Sequence, residues 1–259
     1  MDISDRLGVS SIDEEIEPFL AETVELIQKR RSQGRIIFDR FMRNRVAVGG
    51  AIFLLFLFLY CFVGPAFWRV NPDQPHFTKV SDTLAPPSWE HPFGTDSVGR
   101  DQFARAMVGG QVSLIVGMFS MLLGIAIGTL VGALAGFYGG WLDNALMRIT
   151  DIVLAVPLYL LLFVLSVAFS DGTPRTVILI IAVFSWTYAA RLIRSEFLAL
   201  KEREFVMAAR TIGAGNFRLM FRHILPNAVG PIIVNATLLI GANIITESIL
   251  SYFGFGVQP

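Results

Sequence analysis

Apolar residues gather in five long blocks, 46–67, 111–136, 152–169, 176–190 and 228–246, separated by polar, glycine- and proline-rich segments. Roughly 20 apolar residues at ~1.5 Å of rise each cross the hydrocarbon core of a bilayer. The pattern therefore predicts five membrane-spanning helices, with 152–169 as the core of the third. The third and fourth are joined by the turn cluster Ser170-Asp171-Gly172-Thr173-Pro174, which makes them antiparallel neighbours.

Within the blocks, spacing adds detail. In the second, Gly124, Gly128, Gly132, Gly136 and Gly140 recur at every fourth residue, forming a groove on one face where another helix backbone can approach. A sliding interface and static close packing both suit such a groove. Next, Phe137-Tyr138-Gly139-Gly140-Trp141-Leu142-Asp143 reads as an interfacial turn with aromatic anchors. Arg148 and Asp151 stand at i and i+3, suited to an ion pair, and Pro157 predicts a kink. In the fifth, Asn235, Asn243, Thr246 and Glu247 fall within about a third of the helix circumference at ~3.6 residues per turn. Polar groups at this depth are costly against lipid, so they face protein or a water-filled path.

Between the fourth and fifth blocks lies the polar stretch 204–227, EFVMAARTIGAGNFRLMFRHILPN. Phe205, Val206, Ala208, Ala209 and Ile212 fall at helical spacing, with Arg203, Glu204 and Arg210 on a polar side, so 200–212 reads as a short amphipathic helix. Gly213 ends it as a C-cap, Asn216 is a reasonable N-cap for a second helix through Leu225, and Pro226 closes that one. Ala208 and Ala209 together give a smooth surface that another protein can approach. A solvated helical hairpin is the alternative reading.

Composition agrees with a membrane protein: 54% of the 259 residues are hydrophobic, 16% are charged, and the mean hydropathy is +0.60. The net charge of zero hides a segregation. Residues 1–28 carry Asp2, Asp5, Asp13, Glu14, Glu15, Glu17, Glu22 and Glu25 against Arg6, while 29–45 carry Lys29, Arg30, Arg31, Arg35, Arg40, Arg43 and Arg45 against Asp39. In the acidic leader, Ile12, Ile16, Phe19, Leu20, Val24 and Ile27 recur at helical spacing. The leader reads either as an amphipathic helix packed on the cytoplasmic side of an assembly or as a loosely ordered extension. The first apolar block starts too late and runs too long for a signal peptide. Cys61, the single cysteine, excludes an internal disulfide.

Basic residues favour the cytoplasmic side. They crowd the segment before the first span and the segment 191–227 (Arg191, Arg194, Lys201, Arg203, Arg210, Arg218, Arg222), whereas 69–109 has four basic residues against five acids. Alternating spans from a cytoplasmic N-terminus place 191–227 inside. The segment 69–109 is rich in proline and contains His91-Pro92-Phe93-Gly94-Thr95-Asp96-Ser97-Val98-Gly99-Arg100-Asp101. His91, Asp96 and Asp101 are the residue types of a catalytic or metal site, but loops commonly use Asp and Gly to satisfy their own backbone. No metal site is assigned.

Two motifs carry a resemblance. Ala208-Ala209, then Gly213, then Leu225-Pro226 resembles the EAA-x3-G-x9-I-x-L-P cytoplasmic loop of bacterial ABC importer permeases, with Met207 in place of the glutamate, His223 in place of the isoleucine and Glu204 as an upstream acid. The 91–101 stretch resembles the HPLGTDxxGRD signature of the dipeptide and oligopeptide branch. The resemblance runs from about Arg35 to Pro259. It implies an all-α membrane protein with the transmembrane fold of a type I ABC importer, with a sixth span expected beyond Pro259. It also implies a bacterial inner-membrane location and half of the translocation path for peptides.

By the same resemblance, Glu204, Ala208, Ala209, Gly213, His223, Leu225 and Pro226 would couple the path to ATPase subunits. Gly94, Thr95, Asp96, Gly99, Arg100 and Asp101 would order an outer loop facing the sister permease or the binding protein. The partners implied are a second permease, two ATP-binding subunits and an extracytoplasmic binding protein. No G-x4-G-K-[ST] loop is present, so ATP and Mg are left to the partners and the chain is not itself an enzyme. Gly124, Gly128, Gly132 and Gly136 are expected to pack helices, and Asn235, Asn243 and Glu247 to line the path.

Domains are read as a leader 1–34, a first span with its basic flank 35–68, an outer loop 69–109 and a core 110–259 containing the coupling loop 191–227. Nickel, glutathione or another small solute is an alternative cargo. An ion-coupled secondary transporter is the alternative of a different class. It calls for ionisable residues deep in several spans, where this sequence offers Glu247.

Overall fold

The computed structural model describes residues 33–68, 83–169 and 173–257, and the secondary structure is helical. The acidic leader, the proline-rich 69–82 and Ser170, Asp171 and Gly172 of the turn cluster lie outside the described residues. The chain divides into two compact units, 1–59 and 60–259. In the first, α1 (Gln33–Arg43) is followed by α2 (Arg45–Phe62), whose last residues belong to the second unit. Asn44 separates them: its Oδ1 accepts from the Val46 and Ala47 amides at 3.1 and 3.2 Å, satisfying donors that a helix start leaves open. α2 is apolar all round and its large side chains are exposed, as a lipid-solvated span requires.

The second unit begins with the turn α3 (Gly64–Phe67) and the loop 83–101. Its membrane part is α4 (Gln102–Tyr138), α5 (Gly140–Ala155), α6 (Leu158–Phe169), α7 (Pro174–Leu200), the short α8 (Glu204–Thr211) and α9 (Asn216–Tyr252), with a π-helical stretch at Leu219–Ile224 inside α9. Four helices, α2, α4, α7 and α9, are long and apolar enough to cross a membrane among the described residues, and α5 with α6 makes a fifth span if the bent pair is counted as one.

The second, fourth and fifth expected blocks lie in longer helices, the first helix ends earlier, at Phe62, and the third block is divided between α5 and α6. The fourth extends through Arg191 and Arg194 to Leu200 because both guanidinium groups find carboxylates on α5, so the polar residues do not end the helix. At Pro157 the expected kink is a break of 84°. Val156 is extended (ψ 133°), and a proline nitrogen has no hydrogen to return to the preceding turn.

The core lies where α4, α7 and α9 meet. Gly124, Gly128, Gly132 and Gly136 line the seam between α4 and α7. A Cβ at Gly128 would stand 2.6 Å from Ala189 Cβ, one at Gly132 2.5 Å from the Ala190 carbonyl oxygen, and one at Gly136 2.6 Å from the Arg194 carbonyl oxygen. The helices touch backbone to backbone, as a row of small residues permits. Gly140 does not belong to this row. The helix stops at Gly139 (φ 66°), and Gly140 (φ 58°) opens α5 with nothing near its missing side chain.

Candidate functional site

α8 stands on the end of the bundle where α4 and α7 finish and α9 begins. Its start is Arg203, in extended conformation, and its end is a complete Schellman motif. Gly213 N–H donates to the Arg210 carbonyl at 3.0 Å and Ala214 N–H to the Ala209 carbonyl at 3.0 Å, with Gly213 at φ 88°. That backbone conformation disfavours any side chain, so Gly213 ends the helix as its position in the sequence suggests.

Val206 and Ala209 are buried, at 0% and 5% exposure, in a cluster with Phe137 of α4, Phe197 of α7 and Leu219, Met220 and Ile224 of α9. The opposite face carries Glu204, Phe205, Met207, Ala208 and Ile212, all exposed, and Ile212 reaches 87%. This corrects the reading of Ala208 and Ala209 as one outward surface: Ala209 seats α8 on the bundle and only Ala208 faces out. Successive helical residues point ~100° apart, and Val206, three before Ala209, already marks the inner stripe.

Two further local readings are corrected. The N-cap of α9 is Gly215, in extended conformation (φ −70°, ψ 159°), so Asn216 is already helical. Pro226 does not close a helix, because α9 continues to Tyr252. The π stretch precedes it, with Leu225 N–H bonded to the Met220 carbonyl five residues back, and the wider turn admits a ring that would collide with an α-helical carbonyl. His223 and Leu225 are half-buried, while Ile224 is fully buried, and nothing in the motif had singled Ile224 out.

The seat of α8 is tied to the ends of the long helices. Lys201 Nζ donates to the Gly136 carbonyl at 3.1 Å, a cation on the last turns of α4 where open carbonyls and the helix dipole favour it. Arg194 of α7 grips Asp143 of α5 with two bonds of 2.5 and 2.6 Å. One turn earlier Arg191 reaches Asp151 at 2.6 Å. The expected pairing of Arg148 with Asp151 is therefore replaced: the Asp151 carboxylate faces α7, across the helix interface, and not along its own helix.

Deeper in the bundle, a cavity of about 330 Å³ opens in the elbow between α5 and α6. Residues 153–158 of the break, Ser185, Thr187 and Tyr188 of α7 and Ala242, Asn243 and Thr246 of α9 line it. Asn243 is 3% exposed and its Nδ2 has no hydrogen-bond partner. Glu247 is not on the cavity. Its carboxylate accepts from Ser113 at 2.8 Å and from Ser251 at 2.6 Å, which makes it a clamp between α4 and α9. Asn235 lies two turns from Asn243, half-buried, with a buried Oδ1 that lacks a partner.

At the other end, the loop 83–101 folds around Asp96 and Asp101. Asp96 accepts from the amides of Val98 (2.9 Å) and Arg100 (2.8 Å), from Arg100 Nε (2.8 Å) and from Arg105 (3.0 Å). Burial opposes its charge, but these donors, led by Arg100, outweigh it and hold the pKa down to about 2. Asp101 is fully buried, N-caps α4 through the Phe103 amide (2.9 Å) and accepts from the Trp68 indole (2.8 Å), with His91 Nδ1 at 3.7 Å. Thr95 receives the Ala85 amide at 2.9 Å, and Gly94 and Gly99 adopt positive φ. Both carboxylates are spent on donors of the loop, of Trp68 and of the first turns of α4, and among the described residues no cluster suited to a metal ion forms.

With this geometry in place, comparison with known proteins is direct. The model of binding-protein-dependent transport system inner membrane components matches residues 128–259, which spans α9, the seat of α8 and the cavity. The chain belongs to this family. Residues 32–87 match the N-terminal transmembrane domain of oligopeptide transport permease C. The oligopeptide transport system permease protein OppC of Bacillus subtilis is 39% identical over 218 residues, 84% of this chain and 70% of the relative. The dipeptide transport system permease protein DppC of the same organism is 37% identical over 219 residues, covering 85% and 67%. The glutathione transport system permease protein GsiD of Escherichia coli is 40% identical over 220 residues, covering 85% and 72%. The permease is an all-α, multi-pass inner-membrane protein of the type I ABC importer class.

Proposed function

We propose that this permease forms half of the translocation path of an ATP-driven peptide importer and receives its driving force through α8. The observation that carries the proposal is the division of α8 into two faces. Val206 and Ala209 fuse it to the ends of α4, α7 and α9, while Glu204, Met207, Ala208 and Ile212 are left to a partner. A rigid knob so built passes displacement into packed helices, because interiors at crystal-like density transmit strain instead of absorbing it.

Glu204, Ala208 and Ile212 are the contact residues of the knob. Ala209, Gly213, Leu225 and Pro226 hold its shape, and the His223 carbonyl accepts from Asn227 at 2.6 Å at its base. ATP and Mg belong to two partner ATPase subunits, and a second permease and an extracytoplasmic binding protein complete the assembly. Alternating access follows when ATP binds the two states of the ATPase pair unequally.

The basic residues of 29–45 and 191–222 favour a cytoplasmic N-terminus and a cytoplasmic α8. The loop 83–101 then faces outward, as a rigid platform for the binding protein or the sister permease. Peptides are the cargo favoured by the OppC and DppC relatives. Glutathione, itself a small peptide derivative, is the second reading, supported by the GsiD relative. Reconstitution with the partner subunits decides: binding protein loaded with di- to oligopeptides stimulates ATP hydrolysis under this proposal. Stimulation by glutathione alone would move the assignment to the second reading.

A further inference from the structure

The elbow cavity, mainly apolar, brings a broken helix end and an unbonded buried amide together. α5 ends at Ala155, Val156 is extended and residue 157 is proline. In a continued helix the Val153 carbonyl would accept from the amide of residue 157, which proline lacks. The carbonyls of Leu154 and Ala155 likewise lose the turn that would have bonded them. In a bilayer, non-helical backbone is tolerated only where it is buried in protein or lines a polar path. The same cavity is lined by Asn243, nearly fully buried, with an amide Nδ2 that bonds nothing. Backbone acceptors at the end of α5 and the Asn243 amide line one cavity of about 330 Å³, and they are the two kinds of group that a peptide bond's N–H and carbonyl can each meet.

We propose that this cavity is a mid-membrane subsite that grips the cargo's backbone. Asn243 Nδ2 donates to a peptide carbonyl oxygen, and the open carbonyls at the end of α5 accept a peptide N–H. Such a site is indifferent to side chains, which suits a path that passes many sequences after an external protein has selected them. The inference rests on the peptide reading of the cargo.

The test uses the complete reconstituted importer with tri-alanine, and with tri-alanine N-methylated at the nitrogen of its second residue. Asn243→Leu, which keeps the branched heavy-atom shape and removes the donor, is expected to raise the uptake KM for tri-alanine about 5- to 10-fold, the value of one neutral hydrogen bond. N-methylation, which removes the N–H, raises the KM of the wild-type importer and of the Asn243→Leu variant by the same factor, because it acts on the α5 wall.

Ala242 is exposed on α9 and lines the cavity, so Ala242→Cys in a Cys61→Ala background tests the site without disturbing the core. Tri-alanine delivered by the binding protein is expected to slow its alkylation by a membrane-permeant maleimide at least 3-fold. Wild-type KM in Asn243→Leu together with unprotected Cys at 242 overturns the subsite while leaving the importer assignment intact. A wild-type importer that moves no peptide overturns both.

Discussion

Along the seam between α4 and α7 the closest backbone approach is at Gly132, and adding one methyl group there has a calculable consequence. A Cβ at Gly132 would stand 2.5 Å from the Ala190 carbonyl oxygen and 3.0 Å from both Arg194 N and Ile193 Cβ. Ordinary contact begins at 3.4 Å, so the seam between α4 and α7 must open by about 0.9 Å at this level. The obstacles are backbone atoms of a 27-residue helix, which cannot step aside as a side-chain tip would. Overpacking of this kind costs about 1–3 kcal/mol, and a gap of up to 1 Å forfeits a quarter to a half of the dispersion energy along the opened contact.

Gly132→Ala is therefore expected to lower stability by about 2 kcal/mol, or by roughly 4–8 °C in melting temperature for a chain of this size. Gly109→Ala is the control: it lies on the same helix with nothing within 4 Å of the added carbon. Its better helix propensity should leave stability unchanged or raise it by up to ~1 kcal/mol. Both are read from thermal melts of the purified permease in detergent. Equal melting temperatures for the two variants would refute the claim that this glycine row exists to admit a backbone.

Other expectations follow from the same geometry. Ala208→Phe should leave melting unchanged and cut coupled uptake more than 10-fold, whereas Ala209→Phe should first expose α8 to protease; identical behaviour of the two would remove the distinction between outer and inner face. Arg194→Ala leaves the Asp143 carboxylate without its two charge-assisted bonds and should destabilise by about 1.5–3 kcal/mol, with partial recovery in the exchange Asp143→Arg/Arg194→Asp; no loss on melting would make the pair incidental. Asp96 has a depressed pKa, so its contribution to the loop 83–101 is complete above the unfolded value of ~3.9 and is lost as pH falls through about 2. Limited proteolysis of that loop should be flat from pH 7 to 4 and rise between 4 and 2, and in Asp96→Asn it should be high throughout; a wild-type transition near pH 6 would point to a different group.

Hydropathy made the spans legible, because a bilayer imposes one strong constraint that every residue in a span must meet. The polar ends were harder. Arg191 and Arg194 look like the end of a helix in sequence, and only Asp151 and Asp143, 40 and 51 residues away, keep them inside one. The glycine row was visible by its spacing, but Gly140 carries the same spacing and leaves the row because Gly139 turns the chain. Pro226 was read as a stop on the assumption of α-helical bonding, and the π stretch removes that assumption.

At α8 the information was local and available. Val206, Ala209 and Ile212 define a stripe by spacing, yet Ile212 sits past the last helical residue and turns outward, which periodicity alone does not reveal. The cavity needed three dimensions. Asn243 was visible as a buried amide, but its neighbour across the elbow is a proline break some 85 residues earlier, a juxtaposition that no local pattern contains.

The claim that α8 is an inward-facing knob seated on an ATPase is tested most directly at Ile212, the most exposed apolar residue of the loop. Ile212→Cys in a Cys61→Ala background is labelled with a membrane-impermeant maleimide in inside-out and right-side-out vesicles, with and without the partner ATPases. Labelling is expected from the cytoplasmic side alone, with protection once the ATPases are bound. Labelling from the outer side, or a rate that does not change when the ATPases are present, would contradict it.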